Sequence, residues 1–192
     1  MDKGRMEAFS DGVMAVIITI MVLELKVPDD ASWTSLGALR PVLLSYLLSF
    51  VFLGIYWSNH HHLLQAVRHV NGRILWANLH LLFWLSLTPF ATAWMGANFN
   101  SLPVAVYGTI LLLAAIAYYI LTRALITHHG TQSIIATAVG RDLKGTISPL
   151  LYLIAIPLAF YRPRYSCVLY VIVAIMWLVP DRRIETIFRS DD

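Results

Sequence analysis

The sequence predicts an all-α integral membrane protein, a single transmembrane domain over residues 1–192 with six transmembrane helices. Three observations carry this reading. Only 13% of the 192 residues are charged and 58% are hydrophobic, whereas a water-soluble domain carries about 25% charged and about 45–50% apolar residues. The mean hydropathy is +0.68, so there is too little polar surface to coat a soluble globule. The apolar residues also fall in runs long enough to need lipid as their solvent, with most Lys and Arg between them.

The first span runs roughly from Phe9 to Leu25, and the second from Leu36 to Ser58, with Arg40-Pro41 near its start. The third covers Ile74 to Ala97 and contains Pro89, and the fourth covers Leu102 to Thr127. The fifth, Ile147 to Tyr161, and the sixth, Tyr165 to Val179, are short against the roughly 20 residues a crossing helix needs. They read as a tight hairpin turning at Arg162-Pro163-Arg164, with a buried re-entrant pair as the alternative. Pro89 and Pro157 are tolerable inside spans whose neighbours satisfy the freed carbonyls. The stretch from His128 to Gly145 is the longest polar connection and is expected to be partly helical. No internal repeat, low-complexity tract or second domain is evident.

Charge sets the expected orientation. One side of the six-span arrangement holds Lys3, Arg5, Arg68, Arg73, Arg123, Arg141, Lys144, Arg182, Arg183 and Arg189; the other holds only Lys26, Arg40, Arg162 and Arg164. Short cytoplasmic loops carry the excess of Lys and Arg, so both termini are expected in the cytoplasm. Trp33, Trp57, Trp94 and Trp177 fall near span ends, as an aromatic belt requires. The net charge of +3 forms no basic stripe, so a nucleic-acid partner is not expected. The single cysteine, Cys167, excludes an intrachain disulfide, and the first apolar run lacks the marks of a cleavable signal.

The first span holds the most information. Arg5, Ser10 and Asp11 open it, and Thr19 is the only polar residue in the aliphatic run that follows. At about 100° per residue, Val16, Ile20 and Leu23 form one narrow stripe, flanked by Thr19 on one side and by Val13 and Glu24 on the other. Asp11 falls roughly opposite. If the stripe faces a pore, Asp11 faces the rest of the bundle and can meet donors there. The alternative is that the stripe packs on a neighbour, and that Ser10 and Asp11 are an N-cap and a first-turn acid.

The segment Arg5, three residues, then Phe9-Ser10-Asp11-Gly12 resembles the signature of the transmembrane protein 175 family of lysosomal potassium channels, in its short prokaryotic branch. Trp57-Ser58-Asn59-His60-His61 at the end of the second span, and Trp76, Asn78 and Leu79 opening the third, are also similar to that family. The resemblance implies a six-helix subunit, a homotetramer, a pore lined by the first helix, and potassium as the permeant ion with no other cofactor. It also implies that Val16, Ile20 and Leu23 form hydrophobic constrictions and that Thr19 supports potassium preference. Val16 departs from the isoleucine usual at the first constriction, a smaller side chain that widens the ring. The family has no Thr-Val-Gly-Tyr-Gly filter, and none is present.

Polar residues inside a membrane are functional candidates by default. His60 or His61, with Asn78 or His80, are therefore expected to pair with Asp11 and Arg5 in a network between helices; structural histidines are the alternative. The consecutive His60, His61 and His62 point in three directions on a helix and cannot converge on one metal; His128 and His129 have the same problem, so no metal site is expected. Glu24, Asp29 and Asp30 follow the first helix, where copies around an axis would form a negative mouth. The rival reading is a proton-coupled secondary transporter using Asp11, Glu24 and the histidines as a relay. It lacks the repeats and the midplane acid such proteins use. An intramembrane enzyme would need a nucleophile–base pair or metal ligands deep in the bundle, and neither is evident.

Overall fold

In the computed structural model, the described residues are 2–28, 30–67, 69–130, 132–133, 136–137 and 143–178. Arg68, Asp29, Arg141, Arg182, Arg183, Arg189 and the expected end of the sixth span at Val179 lie outside them, as does most of the connection after His129. Eight helices are described: α1 (Lys3–Leu23), α2 (Trp33–Ala38), α3 (Arg40–Gln65), α4 (Gly72–Ser86), α5 (Thr88–Ala97), α6 (Ser101–His129), α7 (Leu143–Leu158) and α8 (Pro163–Leu178). The four stretches Lys3–Leu23, Arg40–Gln65, Gly72–Ala97 and Ser101–His129 are long and apolar enough to cross a bilayer. α7 and α8 are shorter apolar helices of 16 residues each.

Local chemistry sets the helix ends. Asp2 caps α1 by accepting from Gly4 N at 3.1 Å, so the helix begins six residues before the expected start. Ser10 and Asp11 therefore lie inside it, and the reading of the pair as N-cap and first-turn acid is corrected. Asn71 caps α4 through Ile74 N at 3.0 Å. Pro41, Pro89 and Pro163 stand in the first turns of α3, α5 and α8, where the missing N–H costs nothing. The third span is two helices because Pro89 offers no N–H to the carbonyl of Leu85. α2 was not foreseen: its six residues bury none of their number, so no apolar face announces it. α3 runs seven residues past the expected Ser58.

The chain turns between α7 and α8 through Ala159 to Arg162, with Arg162 N bonded to Leu158 O at 2.9 Å. Ser166 Oγ donates to Ala155 O at 2.8 Å and Trp177 Nε1 to Ser148 Oγ at 2.8 Å, tying the hairpin across both ends. Tyr170 crosses onto α6, where its hydroxyl donates to Val104 O at 3.1 Å. Gly108 makes this possible, because a Cβ there would overlap the Tyr170 ring and hydroxyl.

Two apolar cores result. One lies between α1, α3, α4 and α6 and includes Met14, Ile17, Leu64 and Leu81. The other lies between α3, α5, α6, α7 and α8 and includes Phe52, Met95, Tyr107 and Tyr152. Ser49 Oγ sits 2.6 Å from Thr92 Oγ1 and 3.0 Å from the Tyr107 hydroxyl, a buried polar junction of α3, α5 and α6.

Candidate pore-lining helix and its polar anchor

α1 is two-faced. Met6, Ser10, Met14, Ile17 and Met21 are buried against the bundle, spaced as one helical face. Val16, Ile20 and Leu23 are 55%, 43% and 81% exposed, against 3% for Ile17 and 2% for Met21. The stripe chosen by helical spacing is thus left uncovered by its own subunit. Thr19 is exposed beside it, and its hydroxyl donates to Val16 O at 2.8 Å. With the proton committed to the backbone, the oxygen lone pairs remain for a cation.

The inner face of α1 is held by a directed hydrogen-bond relay. Ser10 Oγ donates to Met6 O at 2.8 Å, which leaves its lone pairs to accept from Asn78 Nδ2 at 2.9 Å. Asn78 Oδ1 then faces His60 Nε2 at 2.7 Å. Since Asn78 offers its oxygen, His60 must donate from Nε2, which assigns the neutral Nε2–H tautomer. Ser10, His60 and Asn78 are 0%, 0% and 2% exposed, so the relay joins α1, α4 and α3 in the dry interior. His60 Nδ1 has no partner among the described residues, and in this tautomer it is a bare lone pair rather than a stranded N–H.

A second strip of contacts lies nearer the helix edge. Trp57 Nε1 donates to Asp11 Oδ1 at 3.1 Å, and His61 Nδ1 lies 3.1 Å from Glu7 Oε1. Gln65 Nε2 lies 2.9 Å from His61 Nε2, and the Trp57 and His61 rings stack at 6.2 Å with 18° between planes. Glu7 and Asp11 are one helical turn apart, as are Trp57 and His61, so two antiparallel helices match two acceptors with two donors.

The expected network is therefore brought together in part. Ser10, His60 and Asn78 meet; Asp11 and His61 find other partners, Trp57 and Glu7. Arg5 and Asp11, expected in one network that holds the first helices together in the tetramer, do not pair within the subunit. Six residues on a helix separate their side chains by about 120°, and Arg5 stands exposed on nearly the same line as Val16. His80 is also outside the network: it accepts from Trp84 Nε1 at 2.9 Å, one turn along α4. Trp57 is not at a helix end, because α3 continues to Gln65. The partners missed were Trp57, Glu7 and Gln65; the matched one-turn spacing of acids on α1 and donors on α3 was the available signal.

At the other end of α1, Glu24 is exposed. The Asp30 carboxylate accepts from Ser32 N at 3.0 Å. Hydrogen bonding from Ser32 and Ser35 holds its carboxyl below the usual aspartate range, so it keeps its negative charge to lower pH than a free aspartate.

Known proteins resemble this chain in sequence and in fold. Residues 5–89 match the family described as endosomal/lysosomal potassium channel TMEM175. A potassium channel of Chryseobacterium sp. (strain P1-3) is 54% identical over 186 residues, 96% of this chain and 97% of its own. The human endosomal/lysosomal proton channel TMEM175 is 36% identical over an alignment of 80 residues that covers 35% of this chain and 16% of the human protein. The crystal structure of a lysosomal potassium-selective channel TMEM175 homolog from Chamaesiphon minutus superposes with a TM-score of 0.80 at 32% identity, covering 92% of this chain and 96% of that one. With the full-length match in sequence, the match in fold, and α1 carrying both the motif and an uncovered aliphatic stripe, the chain belongs to the TMEM175 family of channels.

Proposed function

We propose that the chain is the subunit of a homotetrameric, potassium-permeable cation channel of a prokaryotic cell membrane, with α1 lining the pore. The observation that carries this is the uncovered stripe on α1. A helix whose inner face is fully packed presents Val16, Ile20 and Leu23 outward, beside a hydroxyl oxygen free to meet a cation. Four such stripes around an axis make stacked aliphatic rings, which gate by dewetting. Relatives named as potassium channels, which match 96% and 83% of this chain, favour potassium as the permeant ion. Glu24 and Asp30 supply negative charge beyond the last ring and raise the local cation concentration. Tetramer assembly and the pore-facing roles of Val16, Thr19, Ile20 and Leu23 are part of this proposal.

Flux from purified protein in liposomes is the test, with potassium and sodium gradients compared and proton movement followed by a pH-sensitive dye. Potassium flux is expected to exceed sodium flux, without a fixed ratio to protons; obligatory proton exchange would establish the transporter reading instead. Val16→Asn and Ile20→Asn should raise flux, because a polar ring holds water. Ile17→Asn should lower assembly without raising flux, since Ile17 is buried against the bundle. Equal responses at Val16 and Ile17 would remove α1 from the pore.

A further inference from the structure

We propose that the groove between α4 and α6, at the end of the bundle carrying the amino terminus, binds the headgroup of an anionic phospholipid. The groove is open to the outside and has a volume of about 470 Å³. Arg73, Trp76 and His80 line it from α4, and Ile120, Arg123 and Thr127 from α6. Its register is fixed by the cap of α4: Asn71 Nδ2 lies 3.1 Å from His128 Nδ1, so the start of α4 lies beside the end of the antiparallel α6. Counting inward from that bond, Arg73 stands at the rim. Arg123 and Trp76 follow about one turn deeper, then His80 and Ile120 about one turn deeper again.

Three features select the occupant. The first is charge. Neither Arg73 nor Arg123 is paired with a carboxylate among the described residues, and none of the described residues that line the groove is acidic. Guanidinium forks match phosphate oxygens in pairs. The second is the floor, which is apolar. Trp76 is 75% exposed and Ile120 42%, and the exposed Phe83 and Ile116 continue the same two helices toward the centre of the span. The third is His80. Its Nε2 accepts from Trp84, so Nδ1 carries the proton and is the donor left for an anion.

A free phosphate would use the arginines and leave the apolar floor bare. A phosphatidylcholine would set its trimethylammonium against two guanidinium groups. A lipid with net negative charge, such as phosphatidylglycerol, uses both the cations and the floor. Basic pockets between spanning helices near a membrane surface bind lipids of this charge. The inference needs only that the chain spans a membrane; it depends on neither the pore nor the ion.

The experiment reconstitutes the wild-type protein in liposomes containing photoactivatable phosphatidylglycerol or phosphatidylcholine with the same acyl chains, and maps the cross-links by mass spectrometry. Phosphatidylglycerol is expected to label residues 73–84 and 116–127 about tenfold above phosphatidylcholine. Arg73→Gln with Arg123→Gln should reduce that labelling by about tenfold, to the phosphatidylcholine level, as two interfacial cations are lost. Arg162→Gln with Arg164→Gln, at the opposite end, should leave it unchanged. If the first double variant fails to assemble, the wild-type comparison of the two lipids decides alone. Equal labelling by both lipids, labelling spread evenly around the bundle, or displacement of the lipid by millimolar glycerol 3-phosphate would each overturn the proposal.

Discussion

The Asn78 side chain is hydrogen-bonded to both Ser10 and His60, and an amide is the group suited to that place. It donates from nitrogen to a hydroxyl whose own proton is already used, and accepts at oxygen from an imidazole N–H. A carboxylate could do only the second. Hydrogen bonds between membrane helices contribute about 0.6–2 kcal/mol each. Ser10→Ala, which removes one bond, is expected to lower unfolding stability in detergent by about 1 kcal/mol. Asn78→Leu, which breaks both bonds and strands His60 Nε2–H, should cost about 2–3 kcal/mol. Trp57→Phe removes a half-exposed bond to Asp11 and should cost less than Ser10→Ala. Thermal unfolding of the three variants checks the order; an Asn78→Leu protein as stable as Ser10→Ala would mean the bond from His60 adds nothing, and one as stable as wild type that the relay holds nothing together. The sequence announced the uncovered stripe of α1 because faces repeat with the period of the helix. It could not announce the partner of Asp11. Three adjacent histidines point three ways, and only packing chose His60 for the interior, while the acid took an indole donor rather than a cation.

Helices contact through what their residues omit as much as through what they carry. Gly108 lets the Tyr170 ring lie on α6 and reach the carbonyl of Val104, and Gly96 lets α5 approach the backbone of α3 at Val42, where a Cβ would come within 2.9 Å. Gly108→Ala should therefore push α8 off α6 and lower the unfolding temperature by several degrees. Gly108→Ala with Tyr170→Leu should cost less than the two changes added, because the smaller side chain vacates the space. Simple addition of the effects would separate the two positions. The helix lengths show the limit of reading by apolarity. His60, His61 and Gln65 look like a polar loop, yet they continue α3, where Asn78 partners His60, Glu7 partners His61 and His61 in turn partners Gln65. The break at Leu87 between α4 and α5 was marked by Pro89, though the residue alone does not say whether a helix bends or ends. α2, with no buried face, left no apolar pattern to read.

Over the whole molecule, the starts of α1 and α4 and the ends of α3 and α6 lie at one end. The Glu7–His61 and Asn71–His128 contacts place them there. Lys3, Arg5, Arg73 and Arg123 belong to that end, and Lys26, Arg40, Arg162 and Arg164 to the other. We expect the first group to face the cytoplasm, together with the carboxyl terminus. In a Cys167→Ser background, cysteines placed beside Lys3 and Arg189 should both resist membrane-impermeant thiol reagents applied to intact cells, and one beside Arg164 should react. Labelling at only one terminus would mean that α7 and α8 do not form a crossing pair.

α1 is held at two heights by two different helices. Near its start, Ser10 is bonded to Asn78 on α4; near its end, Met21 Sδ lies 3.9 Å from Thr92 Oγ1 on α5. Between α4 and α5 the backbone ladder is interrupted at Pro89. Any change in the angle of that joint moves one grip relative to the other, and the intervening length of α1 must take up the difference. That length carries Val16, Thr19 and Ile20. The uncovered stripe of α1 thus lies between two contacts made on opposite sides of the break at Pro89, with Met14 and Ile17 packed behind it, so the angle of that joint and the line of the stripe are set together although the break touches none of the three residues.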